Sequence, residues 1–240
     1  MNITIINGSP RKGSTYAATQ IFKNEMLACG AVEFTDFFLP QDMPEFCKGC
    51  MSCFNNGEQA CPHSNYSMPI LESMLGADAI IFTTPVFVVQ MPGSAKAFLD
   101  HYAFIFMGHR PRLEMFNKKA FVLSTASEAG TKAAMKTIVM NLKFWGLNRI
   151  YSSGFVMRAV DWNTTKPKRR EKFEYRLKKS ARRFYKEVLS GKKRRPYLFT
   201  KIMFTVCRML LKRQDEETSL DKRYWIEKDL FKQNPFGRTD

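Results

Sequence analysis

The sequence predicts an α/β fold, a doubly wound five-stranded parallel sheet with a helical extension at its C-terminal end. Three observations predict it. Strand-like and helix-like segments alternate from residue 2 to residue 157. The segment DAIIFTTP (78–85) is continuously apolar through its centre, as a strand buried on both faces must be. Small and hydroxyl-bearing residues cluster where strands end, in NGSPRKGST, TTPVF and STASEAG, the edge at which such sheets bind ligands.

In chain order, NITII (2–6) reads as the first strand, and a helix follows the polar loop from about Thr15 to Cys29. VEFTDFFL (32–39) is the second strand, a cysteine-rich loop fills 40–65, and a helix is expected around Pro69–Leu75. DAIIFTTP is the third strand, followed by a helix from about Gly93 to Phe106. KKAFVLST (118–125) is the fourth, residues 131–145 the next helix, and RIYSSGFVM (149–157) the fifth strand. No internal repeat or low-complexity tract interrupts the pattern.

A chain of 240 residues suffices for one large domain, and its 45% apolar content argues for a packed core. Residues 1–160 are expected to form the sheet domain, and 161–240 its last crossover helix and a basic arm that is not an independent domain. Charge marks the division: residues 1–155 carry 13 Lys/Arg against 11 Asp/Glu, residues 156–240 carry 25 against 11. Residues 2–6 already read as a core strand, so no signal peptide is expected, and apolar runs such as AIIF and VFVV are far shorter than the roughly 20 residues of a spanning helix. Six cysteines, four of them between 47 and 61, suggest reduced thiols or a metal centre in a cytoplasmic protein.

The first loop raises the question of which phosphate it could hold. Gly8 and Gly13 have the spacing of a Walker loop, but Ser14 stands where the phosphate-reaching lysine belongs. The G-x-G-x-x-G pattern of dinucleotide loops is also missing. What remains is Ser9, Arg11, Lys12, Ser14 and Thr15 at a helix N-terminus, where hydroxyls, backbone N–H groups and the helix dipole suit one compact dianion. The competing reading is an ordinary turn whose Ser and Thr cap the helix.

Taken together, NGSPRKGST, GADAIIFTTPVFVVQMPGSAKAFLDH and KKAFVLSTASEAG resemble the flavodoxin-like family of NADPH-dependent FMN reductases and iron–sulfur flavoproteins, over residues 1 to about 157. The resemblance implies a strand order of 2-1-3-4-5. It implies that Ser9, Arg11, Gly13, Ser14 and Thr15 grip the FMN phosphate, that Pro85, Val86 and Phe87 lie against the isoalloxazine ring, and that Thr125 and Ala126 close its other side. Two positions depart from the family pattern: Phe87 stands where Tyr is common, and His101 where Arg is common.

FCKGCMSCFNNGEQACP spaces Cys47, Cys50, Cys53 and Cys61 as C-x2-C-x2-C-x7-C. Ferredoxin-type clusters use the same triplet and closing Cys-Pro with a shorter last spacer. The pattern resembles the compact motif of iron–sulfur flavoproteins, which implies a [4Fe–4S] cluster; zinc, or free thiols, would also be compatible with these residues. Cys29 and Cys207 read as small buried apolar residues, His63 as a solvated loop residue ahead of a further ligand beside Cys61, and His109 with Arg110 and Arg112 as an exposed basic turn ahead of a site for a pyridine-nucleotide phosphate.

In the basic tract 166–196, Phe173, Leu177, Ala181, Phe184 and Val188 share one helical face, as expected of a crossover helix docked on the sheet with a solvated exterior. No recognition motif accompanies the charge, so a nucleic-acid partner is not expected. Residues 197–212 form a helix apolar but for the stripe Lys201, Thr205, Arg208 and Lys212; a subunit contact in a homo-oligomer is the favoured use, ahead of intrachain packing and a membrane interface. The ending DKRYWIEKDLF resembles tails of reductases in this family.

The resemblance implies an FMN-dependent NAD(P)H oxidoreductase in which a pyridine nucleotide delivers hydride to the flavin, electrons pass onward to a small-molecule or protein acceptor, and no side chain acts as acid or base. The alternative is a ferredoxin-linked electron-transfer flavoprotein that never meets NAD(P)H.

Overall fold

The computed structural model describes residues 1–236. Five parallel strands, β1 (Asn2–Asn7), β2 (Glu33–Phe38), β3 (Ala79–Pro85), β4 (Lys119–Ala126) and β5 (Arg149–Val156), form one sheet in the order β2-β1-β3-β4-β5. Strand order reverses at β1, so the ends of β1 and β3 diverge into loops there and open a crevice.

Period-two alternation sorts the strand residues onto two cores. Ile3, Ile5, Ile81, Phe121 and Leu123 face helices α1 (Ser14–Cys29) and α6 (Pro167–Leu189). Ile6, Ile80, Phe82, Ala120 and Val122 face α3 (Ser64–Gly76), α4 (Gly93–Asp100) and α5 (Thr131–Phe144). The expected face of the basic helix is the buried one: Phe173, Leu177, Ala181, Phe184 and Val188 pack on the first core, and Pro167 occupies the first turn, where its missing N–H costs nothing.

Two helices differ from expectation. The helix expected at Pro69–Leu75 begins five residues earlier, at Ser64, and runs through Pro69. Asn65, whose carbonyl loses its intrahelical donor at Pro69, is exposed, so water can replace the bond, while Ser67, Ile70, Leu71 and Met74 hold the helix to the core. The helix expected to reach Phe106 stops at Asp100. Tyr102, Phe104 and Ile105 are all fully buried, and neighbouring residues cannot all bury on one face of a helix, so the chain turns there in a short 3-10 segment, Ala103–Ile105.

The cysteine-rich segment holds only α2 (Ser52–Asn55) and one 3-10 turn. Beyond α6 the chain crosses the free edge of β5, where the Ile150 N–H donates to the Tyr197 hydroxyl at 3.0 Å and so occupies an edge donor. It continues as α7 (Leu198–Lys212) and α8 (Leu220–Glu227), the latter capped by the Ser219 hydroxyl accepting from the Lys222 N–H at 3.1 Å. These helices build a third core, in which Phe204, Leu211, Trp225, Leu230 and Phe236 enclose Met107 and Phe116 of the sheet body. The last four residues of the expected arm, 237–240, lie outside the described residues. Among the described residues no helix is long and apolar enough to cross a membrane.

Candidate functional site

The ends of β1, β3 and β4 and the start of α1 enclose one cleft, and all ten residues expected to hold a flavin line it: Ser9, Arg11, Gly13, Ser14 and Thr15 on one wall, Pro85, Val86 and Phe87 on the second, Thr125 and Ala126 on the third. The phosphate wall is shaped by backbone. Gly8 approaches β3 so closely that its N–H reaches the Thr83 carbonyl at 2.7 Å, and a Cβ there would stand 2.8 Å from that oxygen. The helix behind the loop begins after Gly13 and has no side-chain cap. The capping alternative is therefore not what Ser14 and Thr15 do. The helix keeps its dipole end and first N–H groups toward the cleft. Thr15 instead bonds Thr125 across the cleft floor, Oγ1 to Oγ1, at 2.7 Å.

The second wall is a tight reversal. Phe87 and Gln90 exchange backbone hydrogen bonds of 2.7 and 3.0 Å, and the two residues between them, Val88 (φ 46°) and Val89 (φ 67°), are both left-handed. Two positive φ values at the centre of a two-residue reversal describe a type I′ turn, which favours Asn-Gly. Valine is strained in this region by roughly 1–2 kcal/mol per residue. Val88 is nonetheless 96% exposed, so packing of its own side chain does not hold it there. The support comes from beneath: a Cβ on Gly130 would meet the Val89 carbonyl at 2.9 Å and Val86 Cγ1 at 2.7 Å. Strained backbone held by its surroundings is characteristic of ligand-facing loops.

Asn7, Tyr16, Thr83, Ser127, Met157 and Val160 also line the cleft and were not singled out from sequence. Asn7 and Ser127 adjoin motif residues and were legible by position. Met157 and Val160 follow β5 as ordinary apolar residues; only the sheet order carries them to the mouth.

Cys47, Cys50, Cys53 and Cys61 line a second, smaller cavity, together with His63, Asp100 and His101. All four thiols are free. Burial, and then the neighbouring Cys61 and Cys47, push the Cys53 thiol up, with Arg110 opposing. The Cys50 thiol is lowered by hydrogen bonding to Ser52. Among the described residues no three His, Cys, Asp or Glu side chains are grouped as ligands of a metal ion.

The histidines depart from expectation. His63 is buried, not solvated: its Nδ1 lies 3.0 Å from His101 Nε2, and His101 Nδ1 lies 2.8 Å from the Ala97 carbonyl. Burial, the largest influence, holds His101 below the ordinary histidine range. The pair ties the cysteine loop to the end of α4, so His101 has a structural partner at the position where the family often has Arg. Nor is the 109–112 segment an exposed turn. The Arg110 guanidinium is buried and donates to the Cys53 carbonyl, to Glu58 at 3.3 Å and to Asp221 of α8. Arg112 pairs with Glu58, and His109 Nδ1 lies 2.7 Å from Asp221. The reason is tertiary: the third core carries Asp221 over a turn that would otherwise be solvated. Cys29 and Cys207 are half-buried.

Comparison with known proteins agrees with this architecture. The family model described as NADPH-dependent FMN reductase matches residues 1–160. An iron-sulfur flavoprotein of Clostridioides difficile (strain 630) is 26% identical over 220 residues, covering 88% of this chain and 90% of its own. An iron-sulfur flavoprotein of Methanocaldococcus jannaschii is 26% identical over 202 residues, covering 80% of this chain and 99% of its own. Among solved structures, an FMN-dependent NADH-azoreductase from Bacillus anthracis in complex with FMN superposes with a TM-score of 0.62 at 13% identity, covering 77% of this chain and 100% of that one. With two thirds of its length matched, and with a flavodoxin-like sheet whose polar loops meet in one cleft, the chain belongs to the NADPH-dependent FMN reductase family and is an NAD(P)H-dependent FMN oxidoreductase.

Proposed function

We propose that this oxidoreductase holds FMN in the cleft at the switch point of the sheet, accepts hydride there from NAD(P)H and passes electrons to a small-molecule or protein acceptor. One observation carries the reading: an uncapped helix start with Ser9, Arg11, Ser14 and Thr15 faces a cleft whose other walls are the backbone of Pro85–Phe87 and Thr125–Ala126. A compact dianion fits the first wall and a flat ring system fits between the others. When bound, FMN supplies the hydride-accepting chemistry. The chain's part is to neutralise the phosphate with Arg11, bond it with the three hydroxyls and the free amides, and fix the ring against the turn at Phe87. The exposed Phe87 and Val88 leave an apolar lip beside the mouth, suited to a flat co-substrate. The third core, shared by the arm and the sheet body, supports reading the C-terminal arm as part of the same folding unit rather than as an independent domain.

The test is direct. Added FMN should lose its fluorescence on binding, and the bound flavin should bleach when mixed anaerobically with NADPH or NADH. A flavin that binds but stays oxidised with both nucleotides would favour the ferredoxin-linked alternative.

Cys47, Cys50, Cys53 and Cys61 would hold a [4Fe–4S] cluster. What supports a cluster over zinc is the C-x2-C-x2-C-x7-C spacing with its closing Cys-Pro, on four thiols that line one cavity, since structural zinc usually takes two separated C-x-x-C pairs. The cluster would supply one-electron transfer. Iron and acid-labile sulfide should accompany protein purified without air and vanish on Cys53→Ser while FMN binding persists; zinc in place of iron would contradict the assignment.

A further inference from the structure

Helix α7 buries one face and leaves the opposite face bare. Thr200, Phe204 and Leu211 are buried against the third core. Leu198, Ile202 and Met209 point the other way, 72, 52 and 54% exposed, with Leu210 beside them at 55%. At 1.5 Å per residue the helix is about 22 Å long, so the apolar ridge spans most of its length. Lys201 and Lys212 run along one flank, Lys192, Lys193 and Arg195 precede the helix, Arg213 follows it, and α7 contains no acidic residue.

We propose that this face of α7 docks on an anionic lipid surface, lying flat with Leu198, Ile202 and Met209 in the boundary between headgroups and acyl chains. An outward apolar ridge with cations along its border is the chemistry of a helix that lies in a membrane interface. The charge decides between lipid and a second copy of the chain. With eight Lys/Arg and no Asp/Glu in residues 192–213, two such faces brought together repel, whereas acidic headgroups complement them. A second copy would have to rely on the short acidic turn Asp215, Glu216 and Glu217.

The fold makes the arrangement compatible with catalysis. The third core against which α7 packs includes Phe116, which precedes β4, and Tyr197 at the start of α7 bonds Ile150 near the start of β5. The cleft opens at the other ends of these strands, at Thr125 and Met157. A docked molecule keeps its cleft toward water. The attachment is peripheral, because among the described residues no helix can cross the bilayer.

The experiment is flotation of the full-length protein with two kinds of vesicle: phosphatidylcholine alone, and phosphatidylcholine mixed with phosphatidylglycerol. The protein is expected to float with the mixed vesicles at low salt, to be released by high salt, and to ignore phosphatidylcholine. Ile202→Asp combined with Met209→Asp should reduce the bound fraction about tenfold or more, with FMN binding and melting temperature unchanged, since both side chains face solvent. Lys178→Glu with Lys179→Glu, on α6 across the sheet, should float as the parent does. No flotation of the parent would overturn the proposal. So would flotation lost through the α6 changes and kept by the α7 pair, or a dimer in light scattering that the α7 pair disrupts.

Discussion

Thr15 Oγ1 and Thr125 Oγ1 lie 2.7 Å apart, joining the first turn of α1 to the end of β4 across 110 residues of sequence. Both residues are buried beneath the cleft. Thr125→Val keeps the shape and strands the Thr15 hydroxyl, at a cost of about 1–3 kcal/mol. Chemical denaturation of the apoprotein should show that loss, and FMN titration should show weaker binding, since the bond sets the distance between the phosphate wall and the third wall.

Gly8→Ala places a methyl 2.8 Å from the Thr83 carbonyl at the point where β1 and β3 diverge. The neighbour is backbone and cannot rotate away. We expect a destabilisation of about 1–3 kcal/mol together with weaker FMN binding, read by thermal unfolding with and without flavin.

Val88 and Val89 occupy a turn that favours Asn-Gly. Replacing both, Val88→Asn with Val89→Gly, should stabilise the protein by about 1–2 kcal/mol through relief of left-handed strain. Turnover with NADPH should fall, because the apolar lip at the cleft mouth is lost. Raised stability with unchanged turnover would show that the apolar lip is not needed for turnover.

Arg110 is the keystone between the cysteine loop and α8. Arg110→Met leaves Glu58 and Asp221 partly buried without their shared cation, an effect of about 3–5 kcal/mol by analogy with other broken buried pairs. The expected sign is early proteolytic cleavage around residues 213–219 while the sheet domain persists.

Glu187 and Arg194 form a two-pronged ion pair, with bonds of 2.5 and 2.6 Å, that holds the segment crossing the β5 edge. Arg194 keeps the Glu187 carboxyl below its ordinary value of 4.5, burial opposing. A carboxyl depressed in the folded state stabilises above the unfolded value and loses that contribution as pH falls below about 4.5. The protection of the Ile150 amide, its exchange rate taken relative to the intrinsic rate at the same pH, should therefore fall on acidification through that range, and Glu187→Gln should show the reduced protection already at neutral pH.

Much of this was legible in the residues. Alternating apolar positions such as Ile5 and Ile6 assign strand faces because a pleat turns successive side chains to opposite sides. Gly8, Pro85 and Thr125 announce the cleft because loops at strand ends of a parallel sheet share one edge. The burial of His63 is not legible in the sequence because it depends on His101, 38 residues away, and no local pattern encodes that contact. The burial of Arg110 is hidden for the same reason, its partner Asp221 being 111 residues distant.

By itself the sequence determined the sheet, its strand boundaries, the composition of the cleft walls and the buried face of α6, all consequences of periodicity and local backbone chemistry. Only the tertiary structure decided that the helix start stays uncapped, that two valines are held left-handed, that the arm clamps the cysteine loop, and that one face of α7 is left bare. Those outcomes depend on distances between residues far apart in the chain, which packing sets and spacing does not.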